Sequence, residues 1–297
     1  MSAAVVLMAY GSPERIEDVP AYYADIRGGR PVRPELLEDL TARYRRLGIQ
    51  DRNPLNEITE RTRAALELEL GLPVFTGMKH WTPRIADAVN TALAGGAGTI
   101  VGLVLAPHYS RMSIGGYRAR LQDALSDRAE LLFVESWHDD SALVELWADR
   151  LRGTDAHVVF TAHSLPARIL DEGDPYRDQL LETSWLVADA AGIADWSFSF
   201  QSESPTGEPW LGPDILDHLD ELHAQGVDRV LLAPIGFVAD HLEIGWDLDT
   251  EARKRARELG LSLERAEMPN DDSAFVAVLA GIVRRAVSAV GSTEAHK

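Results

Sequence analysis

Short β-branched apolar runs alternate with amphipathic stretches along the whole chain. The runs at 4–9, 73–76, 99–105, 131–134, 158–162, 195–200, 229–233 and 262–266 read as strands, most of them apolar at successive positions. That is the pattern of parallel strands covered on both faces. Helical periodicity fills the intervals at 34–48, 56–70, 83–95, 114–127, 141–152, 175–191, 213–225, 239–259 and 273–288. Strand–helix alternation of this kind predicts an α/β fold of two doubly wound, Rossmann-like halves with a cleft between them.

The halves announce themselves as a repeat. VVLMAYGSP at 5–13 and VVFTAHSLP at 158–166 each read as a buried strand ending in Ala, then one chemically active side chain, then a turn. Tyr10 and His163 hold that position. LAPH at 105–108 and LAPI at 232–235 form a second matching pair. The interval from Tyr10 to Ala106 is longer than that from His163 to Ala233, which predicts an insert at about 14–54 in the first half. The expected division is therefore 1–152 and 153–297, with the last helix free to cross back and pack on the first half.

Charge and composition narrow the function. A formal charge of −18 over 297 residues opposes nucleic acid, which recruits basic surfaces. The N-terminus lacks a basic leader segment, and the apolar run at 274–283 is about half of the roughly 20 residues that span a bilayer. No membrane anchor is expected, and a cytoplasmic monomer is. The chain has no cysteine, which excludes disulfides, thiolate metal sites and a cysteine-held iron–sulfur cluster.

Several side chains carry candidate chemistry. His163 ends a strand, where open α/β sheets bind ligands. Glu243, Asp247 and Glu251 recur every fourth residue, which places them on one helix face if the helix is α. Such a row suits a hydrated divalent cation, or is an acidic stripe neutralised by Arg253 and Arg255. Trp210 sits in a Pro/Gly-rich loop at 201–213, and His80 follows the strand at 73–76. Arg27, Arg30, Arg33, Arg43, Arg45 and Arg46 make the insert basic, as a carboxylate or phosphate site or as a solvated helix face. Nucleotide-loop, hydrolase-elbow and zincin motifs are absent from the sequence.

Taken together, AYGSP at 9–13, TAHSLP at 161–166, QS at 201–202 with PWLGP at 209–213, PIGFVADHLE at 234–243 and RAEMPN at 265–270 resemble ferrochelatases, over about residues 4–288. The Gram-positive, coproporphyrin-using branch is the nearer likeness. The resemblance implies insertion of Fe²⁺ into coproporphyrin III to give coproheme in haem biosynthesis, with iron as substrate and no permanently bound cofactor. It implies His163 and Glu243 as catalytic groups, and His163, Glu243, Asp247 and Glu251 as the metal-handling set. Tyr10, Arg27, Arg43, Tyr44, Asn53 and Tyr117 fall where that branch contacts the macrocycle, with His80 and Trp210 as further candidates. A transient contact with the next enzyme of the haem pathway is also implied. The alternatives are a protoporphyrin IX ferrochelatase, a cobalt or nickel chelatase of the same fold, and a non-catalytic porphyrin or haem carrier.

Overall fold

The computed structural model describes residues 2–49, 53–204 and 206–294, and side chains up to 289. Among the described residues the eight predicted strands form, as two four-stranded parallel sheets. The first holds β1 (Ser2–Ala9), β2 (Val74–Met78), β3 (Ala97–Val104) and β4 (Glu130–Phe133) in the order β2-β1-β3-β4. The second holds β5 (His157–His163), β6 (Trp196–Gln201), β7 (Arg229–Ala233) and β8 (Ser262–Arg265) in the order β6-β5-β7-β8. The order is the same in both. Val5 lies opposite Val74 and Val101 in one sheet, and Val158 opposite Trp196 and Leu231 in the other. Val5, Val6, Leu7 and Met8 have no exposed surface, nor do Val158, Val159 and Phe160. Consecutive strand residues point to opposite faces, so both faces of each central strand are covered.

The covering helices start and stop where their end residues dictate. α1 (Val19–Ile26) and α2 (Pro34–Arg46) occupy the insert, after a 3₁₀ turn at Ile16–Asp18. α3 (Pro54–Leu70) opens with proline at its first position and the Asn53 side chain accepting from the Leu55 amide at 3.1 Å, and it closes on the left-handed Gly71. α4 (Ile85–Ala94) and α5 (Ile114–Leu125) complete the first half. α6 (Ser141–Leu151) and α8 (Ile215–Ala224) are capped by Asp140 and Asp214, and α7 (Tyr176–Ala191) lies between them in sequence. A π-helix (Ile244–Ala252) runs straight into α9 (Arg253–Leu259), and α10 (Ser273–Glu294) is last. Among the described residues no helix is long and apolar enough to cross a membrane.

The chain's packing divides elsewhere than at residue 152. One compact unit holds the residues up to Ala106, Arg111–Trp137 and those from Asn270 onward; the other holds Pro107–Ser110 and His138–Pro269. The reason is α6, which packs on α7 of the second unit and buries Leu143, Leu146, Trp147 and Leu151. α10 packs on α3 of the first. The turn at 152–156 marks only where the chain returns to a sheet. At the start of the second sheet, hydrogen bonds run Asp195–His157–Ser197–His218–Glu221 and tie β5, β6 and α8 together.

One close approach positions the site. A Cβ built on Gly236, in the turn after β7, would lie 2.4 Å from the Ala162 Cβ of β5, and the Gly236 amide donates to the Thr161 carbonyl at 3.1 Å. Only glycine lets that turn press against the strand end next to His163. Gly236→Ala is expected to lower the unfolding free energy by about 1–3 kcal/mol through overpacking. Gly281→Ala, inside α10 with only the flexible Arg285 tip 3.4 Å away, is expected to raise it by about 0.5–1 kcal/mol. Urea unfolding of both variants checks the contrast.

Candidate active site

In the first unit, Tyr10 leaves the end of β1 and is 42% exposed, and Gly11 turns the chain at φ +82°. The turn is held from below. Tyr44 hydroxyl lies 2.8 Å from Ser12 Oγ, and Asn53 Nδ2 donates to Ser12 Oγ at 2.8 Å and to the Pro13 carbonyl at 3.0 Å. Asn56 bonds the Ser12 backbone on both sides. Tyr44 and Asn53 are each 2% exposed, so their polar atoms are committed to this loop. Arg27, at the end of α1, keeps a buried Nε without a partner, whereas Arg43 lies 2.9 Å from Asp39 at the C-terminal end of α2. Arg43, Arg45 and Arg46 all fall in that last turn, where cations oppose the helix dipole.

His80 packs on Tyr10, ring centroids 4.6 Å apart. Its Nδ1 is 2.8 Å from Asp25, which Arg84 also holds at 3.1 Å. Burial lowers the His80 pKa to about 4, outweighing the hydrogen bond to Asp25, with the Lys79 and Arg120 charges acting in the same downward direction. At neutral pH His80 is therefore neutral, donating from Nδ1 to the carboxylate. Burial likewise brings Lys79 down to about 8; its ammonium donates to the Ser113 carbonyl and sits 4.8 Å over the Tyr117 ring. Tyr117 is buried, which pushes its hydroxyl well above the usual range.

In the second unit, His163 is the last residue of β5. Its backbone is fixed by the Tyr176 hydroxyl, which donates to its carbonyl at 2.9 Å, and its Nδ1 donates to the Ser164 carbonyl. Nε2 then faces Glu243 Oε1 at 3.6 Å. The other Glu243 oxygen lies 3.6 Å from His241 Nε2, whose ring is oriented by Nδ1 on the Ala239 carbonyl at 2.9 Å. Burial alone would lower the His163 pKa; the Glu243 charge outweighs it, with help from Ser164 and Asp247, and holds it up to about 9. Glu243 shows the reverse, with burial opposed and overcome by His163 and His241, and it stays ionised well below the usual carboxylate range. The loop at 201–213 is sewn to the His163 turn by Ser164 Oγ on the Leu211 carbonyl at 2.7 Å and the Leu211 amide on the Leu165 carbonyl at 2.9 Å. That sets Trp210 with its ring 6.5 Å from His163. Pro205 of this loop lies outside the described residues.

The helix carrying the acidic row is π rather than α from Ile244 to Ala252, a correction to the expected geometry. The Arg253 amide bonds the Leu248 carbonyl, and Thr250 Oγ1 donates to the Gly245 carbonyl at 2.8 Å, both five residues back. A four-residue interval falls slightly past one α turn and slightly short of one π turn, so residue spacing fits both. Such segments are frequent at functional sites. Asp247 is buried and accepts from Ser202 Oγ and, at 3.5 Å, from Gln201 Nε2. Glu251 is half-buried. Among the described residues no three His, Asp or Glu side chains are grouped to hold a metal ion.

Sequence reasoning assigned no individual role to His241, Gln201, Ser202, Asp25 or Lys79, although His241, Gln201 and Ser202 lie in the motifs quoted for the resemblance. His241 was within reach: it stands two before Glu243, in the bend where the helix starts. Asp25 was not, since its partner His80 is 55 residues away.

A relative from Herpetosiphon aurantiacus, named ferrochelatase, is 44% identical over 94% of this chain and 97% of its own. A protein named coproporphyrin III ferrochelatase, from Halalkalibacterium halodurans, is 39% identical over 95% and 96%. Among solved structures, SirB from Bacillus subtilis with Fe³⁺ superposes at a TM-score of 0.62 over 96% of both chains, at 11% identity, a likeness of fold. The Ferrochelatase family matches residues 2–287. A chain matched over nearly its whole length, by relatives that it covers almost completely, belongs to the ferrochelatase family of metal-inserting lyases.

Proposed function

We propose that this ferrochelatase takes coproporphyrin III as its porphyrin and that His163 and Glu243 act together as its metal- and proton-handling unit. The single observation that carries the proposal is the His163–Glu243 pair, two coupled ionisable groups at a strand end with Asp247 on the adjoining helix. Metallation must release two pyrrole protons and strip water from Fe²⁺. The anionic Glu243 carboxylate, with His163 and His241 each 3.6 Å from one of its oxygens, offers a hard oxygen ligand to the incoming ion. At neutral pH the pair already holds a proton on His163. A divalent cation at Glu243 neutralises the charge that keeps that proton bound, so His163 gives it up to water and then takes the two pyrrole protons one after the other, passing each to water in turn. Asp247 and Glu251 then pass metal or protons along the π-helix, and Tyr10 contacts the macrocycle.

The coproporphyrin assignment is supported by the relatives of that name and by the insert. Coproporphyrin has four propionates; Arg30, Arg33 and Arg45 of the insert are exposed, and Arg27 has a buried Nε with no hydrogen-bond partner among the described residues. Anaerobic assays with Fe²⁺ should give kcat/KM at least about tenfold higher for coproporphyrin III than for protoporphyrin IX, about 1.4 kcal/mol of discrimination. The reverse preference would make it a protoporphyrin enzyme, and binding without turnover a carrier.

The site assignment makes a signed pH prediction. If His163 must be neutral to accept a proton, the wild-type kcat/KM for Fe²⁺, which reports the metal-free enzyme, climbs as pH rises toward about 9, where its raised pKa lies. Glu243→Gln removes the charge that raises it most and leaves burial opposed only by Ser164 and Asp247, so the climb should move to lower pH while the maximal rate falls. His163→Ala should lower kcat about 10²–10⁴-fold. A pH–rate profile unmoved in Glu243→Gln would break the coupling.

A further inference from the structure

Arg265 ends β8 outside every group invoked above, yet its guanidinium reaches both sides of the Glu243 segment. Nε and Nη2 bond the two oxygens of Asp249 at 3.0 and 2.9 Å, a bidentate fork, and Nη2 also lies 3.1 Å from Asp240. The side chain is 14% exposed. Asp240 stands in the turn before the helix and Asp249 within the π-helix, so the tie encloses the stretch that carries Glu243 and Asp247. Asp247 and Asp249 are two residues apart, on different flanks of the helix, which leaves Asp247 to Gln201 and Ser202 while Asp249 is anchored to the sheet.

We propose that Arg265 is a positioning residue for metal capture, setting where Glu243 and Asp247 stand by holding Asp240 and Asp249 at once. This rests on the reading that those two carboxylates receive the iron. Lysine can keep the charge but cannot span two carboxylates with a planar fork. Arg253, 3.4 Å from Asp249, keeps a cation beside that carboxylate when Arg265 is changed, so the fold should survive.

The test uses the full-length protein with Arg265→Lys and Asp249→Asn, checked for folding by thermal unfolding. The expected result is a rise of about ten- to a hundredfold in KM for Fe²⁺, the usual scale for partners behind a metal ligand. KM for the porphyrin should stay within about twofold, and the ratio of Zn²⁺ to Fe²⁺ insertion should change. Asp240→Asn should reproduce the iron effect. Unchanged iron KM and metal ratio in folded variants would overturn the proposal. So would equal losses toward both substrates, or a failure of both variants to fold, since each makes Arg265 a general support. A wild-type protein that metallates no porphyrin would instead overturn the functional reading on which the proposal rests.

Discussion

A carboxylate drawn into a protein edge needs a cation, and in the second unit Glu243 obtains it from His163. That need shapes what surrounds it. Gly236 brings the turn after β7 against β5, the Tyr176 hydroxyl and Ser164 carbonyl fix the imidazole, and His241 takes the other carboxylate oxygen. The π-helix begins immediately after Glu243 and is tied back to β8 by Arg265. Remove the ion pair and these contacts have no common purpose.

The first unit uses the same residue types with the opposite outcome. His80 is only 2.8 Å from Asp25, closer than His163 to Glu243 at 3.6 Å, yet its pKa falls to about 4 while that of His163 rises to about 9. Proximity does not decide it: burial lowers both, and the surrounding charges decide which way each ring goes. Asp25 is shared with Arg84, and Lys79 and Arg120 add positive charge around His80. Around His163 the second nearby charge is another carboxylate, Asp247. One strand end therefore presents a neutral ring beside a tyrosine and the other a charged ring beside acids.

Much of this was legible from residues. The matched segments at 5–13 and 158–166 located both strand ends, because a buried strand has a compact apolar signature and its exit residue is polar. The strands were readable for the same reason. The π-helix was not, since a four-residue interval suits either helix. The resemblance implies Tyr44 and Asn53 as macrocycle contacts; their bonds to the Ser12 turn were not legible, since they join positions over 30 residues apart that no periodicity connects. The division at Trp137 was hidden as well: amphipathic α6 shows that it has a buried face and not which unit receives it.

That division has a consequence for how the protein is made. α6 follows β4 and α10 follows β8, so each closes its own repeat in sequence, yet each packs in the unit of the other. The two repeats have exchanged their final helices, a domain swap written into one chain. As the polypeptide emerges from the ribosome, the first unit has its sheet and lacks the helix that packs on α3 until the last segment appears. The second unit has all its residues once Pro269 has been made, before the first unit has its last helix. Completion of the N-terminal unit waits on the C-terminal residues, so a chain truncated before Asn270 keeps every residue of the second unit and leaves the first without the helix that packs on α3.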